Sequence, residues 1–183
     1  MAGASYAELL DILKARLVIE VELLRDSIRQ GDDEWQKRTL LSHRNLSRAP
    51  ELRRGMSEPE YSQWESAHRD FHLELVSASG QLWLGRFLVQ LHAQVCRHQR
   101  LIVMGKRPLA DPRADEALAG MLRSNAGLEH HMLLMDAALD GDEARAVALL
   151  QDHIGVGLSP DLEQRDPRAL PADPASRVPA APG

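Results

Sequence analysis

The sequence has little of several features that would each define a class of protein. Its one cysteine, Cys96, excludes a disulfide framework and a cysteine-ligated zinc site. Its net charge of −5 gives no basic surface, so we expect this chain not to bind nucleic acid directly. No apolar run approaches the ~20 residues that span a bilayer, and the N-terminus lacks the charged and apolar regions of a signal peptide. These absences predict a cytoplasmic protein that does not act at a membrane.

Aromatic residues are also scarce, at 4% of the 183 residues, and β-branched residues are few beside leucine, alanine, arginine and glutamate. This balance favours helices over strands. Apolar residues make up 44%, which is enough for one packed core. Residues 157–183 are rich in proline, alanine and aspartate without any periodicity, which predicts a disordered tail. We therefore predict one domain over residues 5–156, followed by that tail.

Helix caps, glycines and the spacing of apolar residues divide this domain into six predicted helices. Ser5 with Glu8 and Ser57 with Glu60 have the spacing of capping boxes, and Gly31 predicts the end of the first helix. Six amphipathic helices joined by short loops indicate an all-α antiparallel bundle. The helices are predicted at about 6–30, from a cap at 32 or 33 to before 50, and at about 58–79, 82–104, 114–139 and 143–155.

Four histidines interrupt the apolar stripes of these helices. His68 and His72 are one turn apart on the third helix, His131 is at the centre of the buried face of the fifth, and His153 is on the buried face of the sixth. A lone buried histidine usually bonds a backbone carbonyl, but burying several without partners costs free energy for each ring. A pair at i, i+4 plus single ligands from other helices is typical of metal sites in bundles. The pattern predicts a metal site formed by these four residues.

Three other histidines lack this context. His43 and His92 are not on a predicted buried stripe, and we expect both at the surface. His130 points about 100° away from His131 around the helix axis. It is therefore predicted either to face solvent or to support the ligands from behind.

The first predicted helix has a charged pair within its apolar arc. Arg16 and Glu20 are one turn apart, and Glu20 lies among the leucines of the buried face. One interpretation is an ion pair at the edge of the core. The other is that Arg16 faces a cavity and binds the carboxylate of a ligand, with Glu20 fixing its orientation.

The fourth predicted helix offers three further candidates for a ligand pocket. Gln94 and His98 share a face with Phe87 and Leu91, which we predict to be the buried face. Arg97 flanks the same face. We expect these three polar side chains to line the pocket.

The residues singled out so far, in their order along the chain, resemble the motifs of one family. Residues 16–20 (RLVIE) are similar to the R-x-x-x-E opening of the FadR C-terminal domain, or FCD domain, which binds effectors in many GntR-family transcription regulators. Residues 68–72 (HRDFH) resemble its D-x-x-F-H motif, His131 with 136–139 (DAAL) its E-H…D-A motif, and 149–153 (LLQDH) its L-L-x-x-H motif. The interval of 22 residues from His131 to His153 also matches. The resemblance covers about residues 5–156.

The resemblance implies an antiparallel bundle of six or seven helices, often dimeric, that binds a divalent metal through one aspartate and three histidines. By this likeness His72, His131 and His153 are ligands of zinc, with nickel, manganese or iron as alternatives. His68 replaces the aspartate. It either coordinates as a fourth imidazole, which favours a softer metal, or stays unbound and contacts the effector. His130 replaces the family's usual glutamate.

The winged helix-turn-helix that precedes this domain in the family's regulators has no counterpart before the first predicted helix. We therefore expect this chain not to bind an operator in the family's manner. The sequence would be either a fragment of a regulator or a stand-alone pocket domain.

Three functions are compatible with these residues. The first is a homodimeric sensor in which a small organic acid bridges the metal and Arg16. The second is a metalloenzyme derived from such a sensor and acting on a small carboxylic acid, with Glu20 or His98 as the general base. The third is a binding protein that titrates a metabolite or heterodimerises with a full-length regulator. The resemblance favours the sensor.

Overall fold

A computed structural model describes residues 6–53, 55–104 and 127–155 of the chain. These residues form six α-helices and no strand, which confirms the predicted all-α class. None of the described helices is both long enough and apolar enough to cross a bilayer. The helices are α1 (Tyr6–Gln30), α2 (Asp33–Leu46), α3 (Glu58–Leu75), α4 (Leu82–Val103), α5 (Leu128–Leu139) and α6 (Glu143–Gly155).

Side-chain caps begin two of these helices as predicted. Asp32 accepts a hydrogen bond from the backbone N–H of Trp35 at 2.8 Å, which fixes the start of α2. Ser57 and Glu60 form the reciprocal capping box of α3. The predicted cap at Ser5 and the predicted tail both lie outside the described residues.

Two predicted boundaries differ from the structure. Helix α3 ends at Leu75 and not at residue 79, because Ser79 Oγ and the Gly80 N–H both bond the Asp26 carboxylate and draw the chain toward α1. The predicted fifth helix is not continuous, since Gly127 is extended and α5 begins only after it. Residues 114–126 of that prediction lie outside the described part of the chain.

Helix α1 is the central helix of the described bundle. It packs against α4 along one side and against α6 along the other, while α2 packs on α3 and α5, and α5 on α6. Its own buried face includes Leu9, Leu13, Leu23 and Leu24, all at most 3% exposed. Because α1 touches helices on two sides, polar residues in its middle meet side chains from several helices at once.

Candidate metal centre

The structure brings the four predicted histidines together in the core. His68 and His72 come from α3, His131 from α5 and His153 from α6, and each is at most 3% exposed. One ring nitrogen from each lies within 4.8 Å of those of the other three. The rings of His131 and His153 are 4.6 Å apart, and those of His72 and His153 are 4.8 Å apart. Three helices thus converge on one point, as the apolar stripes predict.

Aromatic rings form one wall of this cluster. The ring of Trp64 stacks on His68 with centroids 4.7 Å apart and planes 20° from parallel. Phe71 meets His72 and His131 edge to face, at 5.5 and 5.4 Å. Close packing of this kind restricts the rotamers of the histidines, so that their orientations are set before any ligand binds.

Hydrogen bonds fix the tautomers of two of the rings. The Nδ1 of His131 lies 3.0 Å from the backbone oxygen of Gly127, and the Nδ1 of His72 lies 2.6 Å from Glu20 Oε1. A carbonyl or carboxylate oxygen only accepts, so each Nδ1 bears the proton and donates it. The lone pair of each ring is then on Nε2, on the side that faces the cluster.

Several of these nitrogens have no hydrogen-bond partner. The Nε2 atoms of His68 and His131 are buried and unpartnered, and the Nε2 atoms of His72 and His153 face each other at 3.0 Å. A buried polar atom left without a partner costs free energy, and native proteins rarely tolerate several in one place. The unpaired nitrogens are therefore available to coordinate an ion placed between the rings.

Burial keeps the imidazoles uncharged. It lowers the pKa of His131 to about 3, and it holds the pKa values of His68 and His153 well below the usual range. Burial also lowers the pKa of His72, although the neighbouring carboxylate opposes the shift. Neutral imidazole is the form that binds metal ions, so the protonation state suits coordination.

The donor set fits a divalent ion that prefers nitrogen ligands. Four imidazoles, with no cysteine among them, suit zinc, nickel, copper or iron, whereas magnesium and calcium need oxygen ligands. Ligands ~2.0–2.1 Å from a tetrahedral zinc lie roughly 3.4 Å apart. The four nitrogens are spread over as much as 4.8 Å, so an ion would draw the outermost rings inward.

The charged pair of α1 lies directly behind His72. Arg16 Nε bonds Glu20 Oε2 at 2.7 Å, and the two side chains are 2% and 0% exposed. This is the i, i+4 ion pair that one interpretation predicts, but it is in the centre of the bundle and not at the edge of the core. Burial alone would raise the pKa of Glu20, yet Arg16 and His72 together hold that pKa well below its usual range.

His92 is a fifth buried histidine, and its predicted surface position is wrong. It is 1% exposed, its ring is 5.7 Å from that of His72, and its Nε2 is 3.6 Å from Glu20 Oε2 with no hydrogen-bond partner. Burial lowers its pKa to about 4. The spacing of Leu88, His92 and Val95 is the signal that could have identified it.

The predicted buried face of α4 is wrong by about one residue, or 100° around the axis. Phe87 is 46% exposed, while Leu88 is fully buried. The helix has apolar residues on both sides, so its sequence does not determine which side is inward. Among the α4 residues whose burial the structure describes, the buried ones are Leu88, His92, Val95, Cys96, His98, Gln99 and Val103.

The three pocket candidates on α4 are therefore not brought to the cluster. Gln94 and Arg97 are exposed, and Arg97 lies 3.9 Å from the Glu8 carboxylate. His98 is buried, but its ring contacts the backbone oxygen of Gln94 at 2.9 Å and Glu8 at 3.2 Å. The face of α4 that reaches the centre presents His92 in their place.

The last two histidines are half-buried. His43, expected at the surface, meets the ring of Phe71 edge on at 5.8 Å, and its buried Nε2 has no hydrogen-bond partner. His130 donates from Nε2 to the backbone oxygen of Leu149 at 2.9 Å and stacks on His153 at 5.5 Å. His130 therefore supports His153 from behind, which is one of its two predicted positions.

Comparison with known proteins gives a consistent result. The model of the family described as FCD domain matches residues 11–156. The chain is 36% identical over 157 residues to an uncharacterized HTH-type transcriptional regulator, BphR, of Paraburkholderia xenovorans, covering 85% of this chain and 57% of that protein. It is 28% identical over 158 residues to the HTH-type transcriptional repressor GlaR of Escherichia coli, covering 84% and 64%. The chain therefore spans less than two thirds of the length of either relative.

A solved structure shares the fold. It is a transcriptional regulator, a GntR family member, from Pseudomonas syringae pv. tomato. The superposition has a TM-score of 0.60 and 20% sequence identity, and it covers 89% of this chain and 60% of that one. At this identity the likeness is evidence for the fold alone.

Proposed function

The chain belongs to the FCD domain family, which provides ligand-sensing regulatory domains to GntR-type regulators, and we propose that it senses a small organic acid through a histidine-bound divalent metal. His72, His131 and His153 are the proposed ligands, and His68 is the fourth. The observation that carries the proposal is the convergence of four buried, neutral imidazoles, with two tautomers fixed so that Nε2 faces the centre.

The ligand chemistry favours zinc, followed by nickel and iron. Manganese is a weaker candidate because it prefers oxygen ligands, and none of the four donors is a carboxylate. When bound, the metal supplies a Lewis acid to which the carboxylate of the effector attaches. The histidines would hold the metal, and the residues packed around them orient their rings and exclude water from the site.

The charge balance of the site supports an anionic effector. Arg16 and Glu20 cancel each other, and the neutral histidines add no charge, so a divalent ion would bring two uncompensated positive charges into the core. Because His68 replaces an aspartate, the site is one unit more positive than the resemblance implies. An organic acid would offset part of this charge. The Arg16–Glu20 pair is neutral as a whole, but the guanidinium of Arg16 is near enough for its charge to contribute to the low pKa of His68, so Arg16 would attract the carboxylate locally.

We propose that, in a homodimer, binding of the effector changes the arrangement of the helices and that a DNA-binding region responds to this change. The names of both relatives describe HTH-type regulators of transcription. A ligand that binds one arrangement of the helices better than another shifts the population toward that arrangement. The enzyme alternative gains no support, because Glu20 is held in an ion pair and His98 contacts Glu8.

The first test is metal content. The purified chain should hold close to one divalent ion per copy, which a chelator removes and zinc restores, as measured by elemental analysis. Wild-type protein that never holds a stoichiometric ion would overturn the proposal.

The second test is the effector. Dicarboxylates and sugar acids should be screened by thermal shift against the metal-loaded and the metal-free protein, and we expect a positive shift only with metal. Arg16→Lys keeps the charge but loses the forked geometry, so it should reduce the shift while leaving the metal bound. Arg29→Lys, an exposed arginine on the same helix, is the matched control. An equal shift without metal would contradict the proposed binding mode.

A further inference from the structure

The carboxylate of Glu20 lies where three helices meet. Its Oε1 is 2.6 Å from Nδ1 of His72 on α3, and its Oε2 is 2.7 Å from Nε of Arg16 on α1 and 3.6 Å from Nε2 of His92 on α4. The side chain is fully buried. Neither α1 nor α4 provides a member of the histidine cluster. Glu20 connects α1 to it through His72, and His92 of α4 lies beside both Glu20 and the ring of His72.

The two oxygens of this carboxylate do different things. Oε2 forms the ion pair with Arg16. The second contact of the guanidinium, from Nη2 to Oε1, is long at 3.5 Å. The other oxygen is instead close to His72. A separation of 2.6 Å is shorter than the usual N–H···O distance of ~2.9–3.0 Å, as expected for a bond to a charged acceptor.

We propose that Glu20 is the positioning residue of the metal centre: it accepts the Nδ1–H of His72 and thereby fixes the tautomer that presents Nε2 to the metal. This inference rests on the proposed metal-binding function. An ionised carboxylate has no proton to give, so the shared proton belongs to the ring. Such a contact orients a metal-binding imidazole and increases its basicity.

His131 provides an internal comparison. Its Nδ1–H is also fixed, but the acceptor is the backbone oxygen of Gly127, which is neutral. A carboxylate polarises the imidazole more strongly than a carbonyl does. We therefore assign His72 as the stronger donor of the two. His92 has a smaller part, since it faces the oxygen of Glu20 that Arg16 already occupies.

The tautomer is tested first in the metal-free protein, by the nitrogen chemical shifts of the His72 ring in NMR spectra of ¹⁵N-labelled chain. Wild-type protein should have the proton on Nδ1. The double variant Arg16→Met/Glu20→Leu removes the acceptor and both charges together, and replacing a buried ion pair by apolar residues often preserves stability. In this variant the Nδ1–H preference should be lost. A proton on Nε2 of His72 in the wild type would overturn the proposal.

Zinc affinity is tested second, by competition with a chromophoric chelator. Glu20→Gln keeps an oxygen acceptor without charge, whereas the double variant has no acceptor. Removing such outer partners weakens metal binding by about 10- to 100-fold. We expect a loss near tenfold for Glu20→Gln and near 100-fold for the double variant. Glu22→Gln and Glu22→Leu, at an exposed position of the same helix, should bind zinc like the wild type.

The outcomes separate the two proposals. If the wild type binds no metal, the proposed function fails, while the tautomer of His72 still decides the role of Glu20. If the wild type binds zinc and the folded double variant binds it equally well, the metal site stands and the positioning role is wrong. Should Glu20→Gln unfold because Arg16 is left unpaired, the double variant gives the same measurement.

Discussion

Two of the arginine–glutamate ion pairs formed by helix α1 lie in contrasting surroundings. In its middle, Arg16 and Glu20 are 2.7 Å apart and 2% and 0% exposed. At its C-terminal end, Arg29 bonds Glu143 of α6 through two contacts of 2.9 Å each, and these side chains are 65% and 31% exposed. The exposed pair has the better bidentate geometry, while the buried pair has the polar neighbours.

The contrast shows that hydrogen-bond geometry alone does not determine how much an ion pair contributes to stability. Water and salt screen the exposed pair, and pairs of this kind contribute about 0.2–1 kcal/mol. The buried pair is different, because removing one partner leaves a charge in the core, at a cost of about 3–5 kcal/mol. Only the buried pair also contacts a proposed metal ligand, His72. The polar contacts at the centre of α1 are therefore part of the proposed metal site, whereas those at its end join α1 to α6.

The largest expected effect comes from Glu20→Ala. It leaves Arg16 buried without a partner, so the free energy of unfolding should fall by about 3–5 kcal/mol. Urea unfolding of the metal-free protein, followed by circular dichroism, measures the change. A loss below about 1 kcal/mol would mean that the middle of α1 behaves like its exposed end.

Metal binding should give the next largest effect. A ligand present at 100 times its dissociation constant stabilises the folded state by about 2.7 kcal/mol. We expect zinc to raise the unfolding free energy by this amount in the wild type and in Glu143→Ala, but not in His72→Ala. An equal rise in His72→Ala would assign the ion to some other site.

Acidification should lower the free energy of unfolding through His92, whose pKa is lowered to about 4 by burial. The unfolded chain has an ordinary histidine pKa of about 6.5, so between these values it binds a proton that the folded state does not. Stability is therefore full above about pH 6.5 and falls as the pH decreases toward 4, by up to about 1.4 kcal/mol per pH unit for this residue. In His92→Gln the slope of metal-free unfolding free energy against pH should be shallower by that amount. An unchanged slope would show that His92 titrates normally.

The smallest effect is expected at the exposed end. Glu143→Ala should reduce the unfolding free energy by about 0.2–1 kcal/mol, and high salt should abolish the difference from the wild type because exposed charges are screened. Urea unfolding at low and high ionic strength measures both. A loss as large as that of Glu20→Ala would remove the distinction between the two pairs.

Local signals in the sequence were sufficient for much of the fold. The caps at Asp32 and Ser57 act within four residues, so the helices that they begin could be predicted. The end of α3 could not, because Asp26 is 53 residues away from Ser79 along the chain and bonds it only in the folded bundle. Where a helix stops can depend on a partner that its own sequence does not contain.

The same distinction holds for the site. Each of the four clustered histidines interrupts an apolar stripe of its own helix, which is a local pattern. The contact between Glu20 and His72 joins residues 52 positions apart and depends on how α1 is aligned with α3. His92 was missed because α4 has apolar residues on both sides, and only packing against α1 determines which side is buried.

The buried position of Cys96 has a kinetic consequence. This only thiol of the chain is 7% exposed, on the same buried face of α4 as His92, and burial raises its pKa to about 12. Thiol reagents react with the nucleophilic thiolate, so the closed protein should be inert and labelling should proceed only when α4 separates from its neighbours. The labelling rate would then report how often α4 opens. An ion or effector that tightens the bundle would slow the labelling of Cys96.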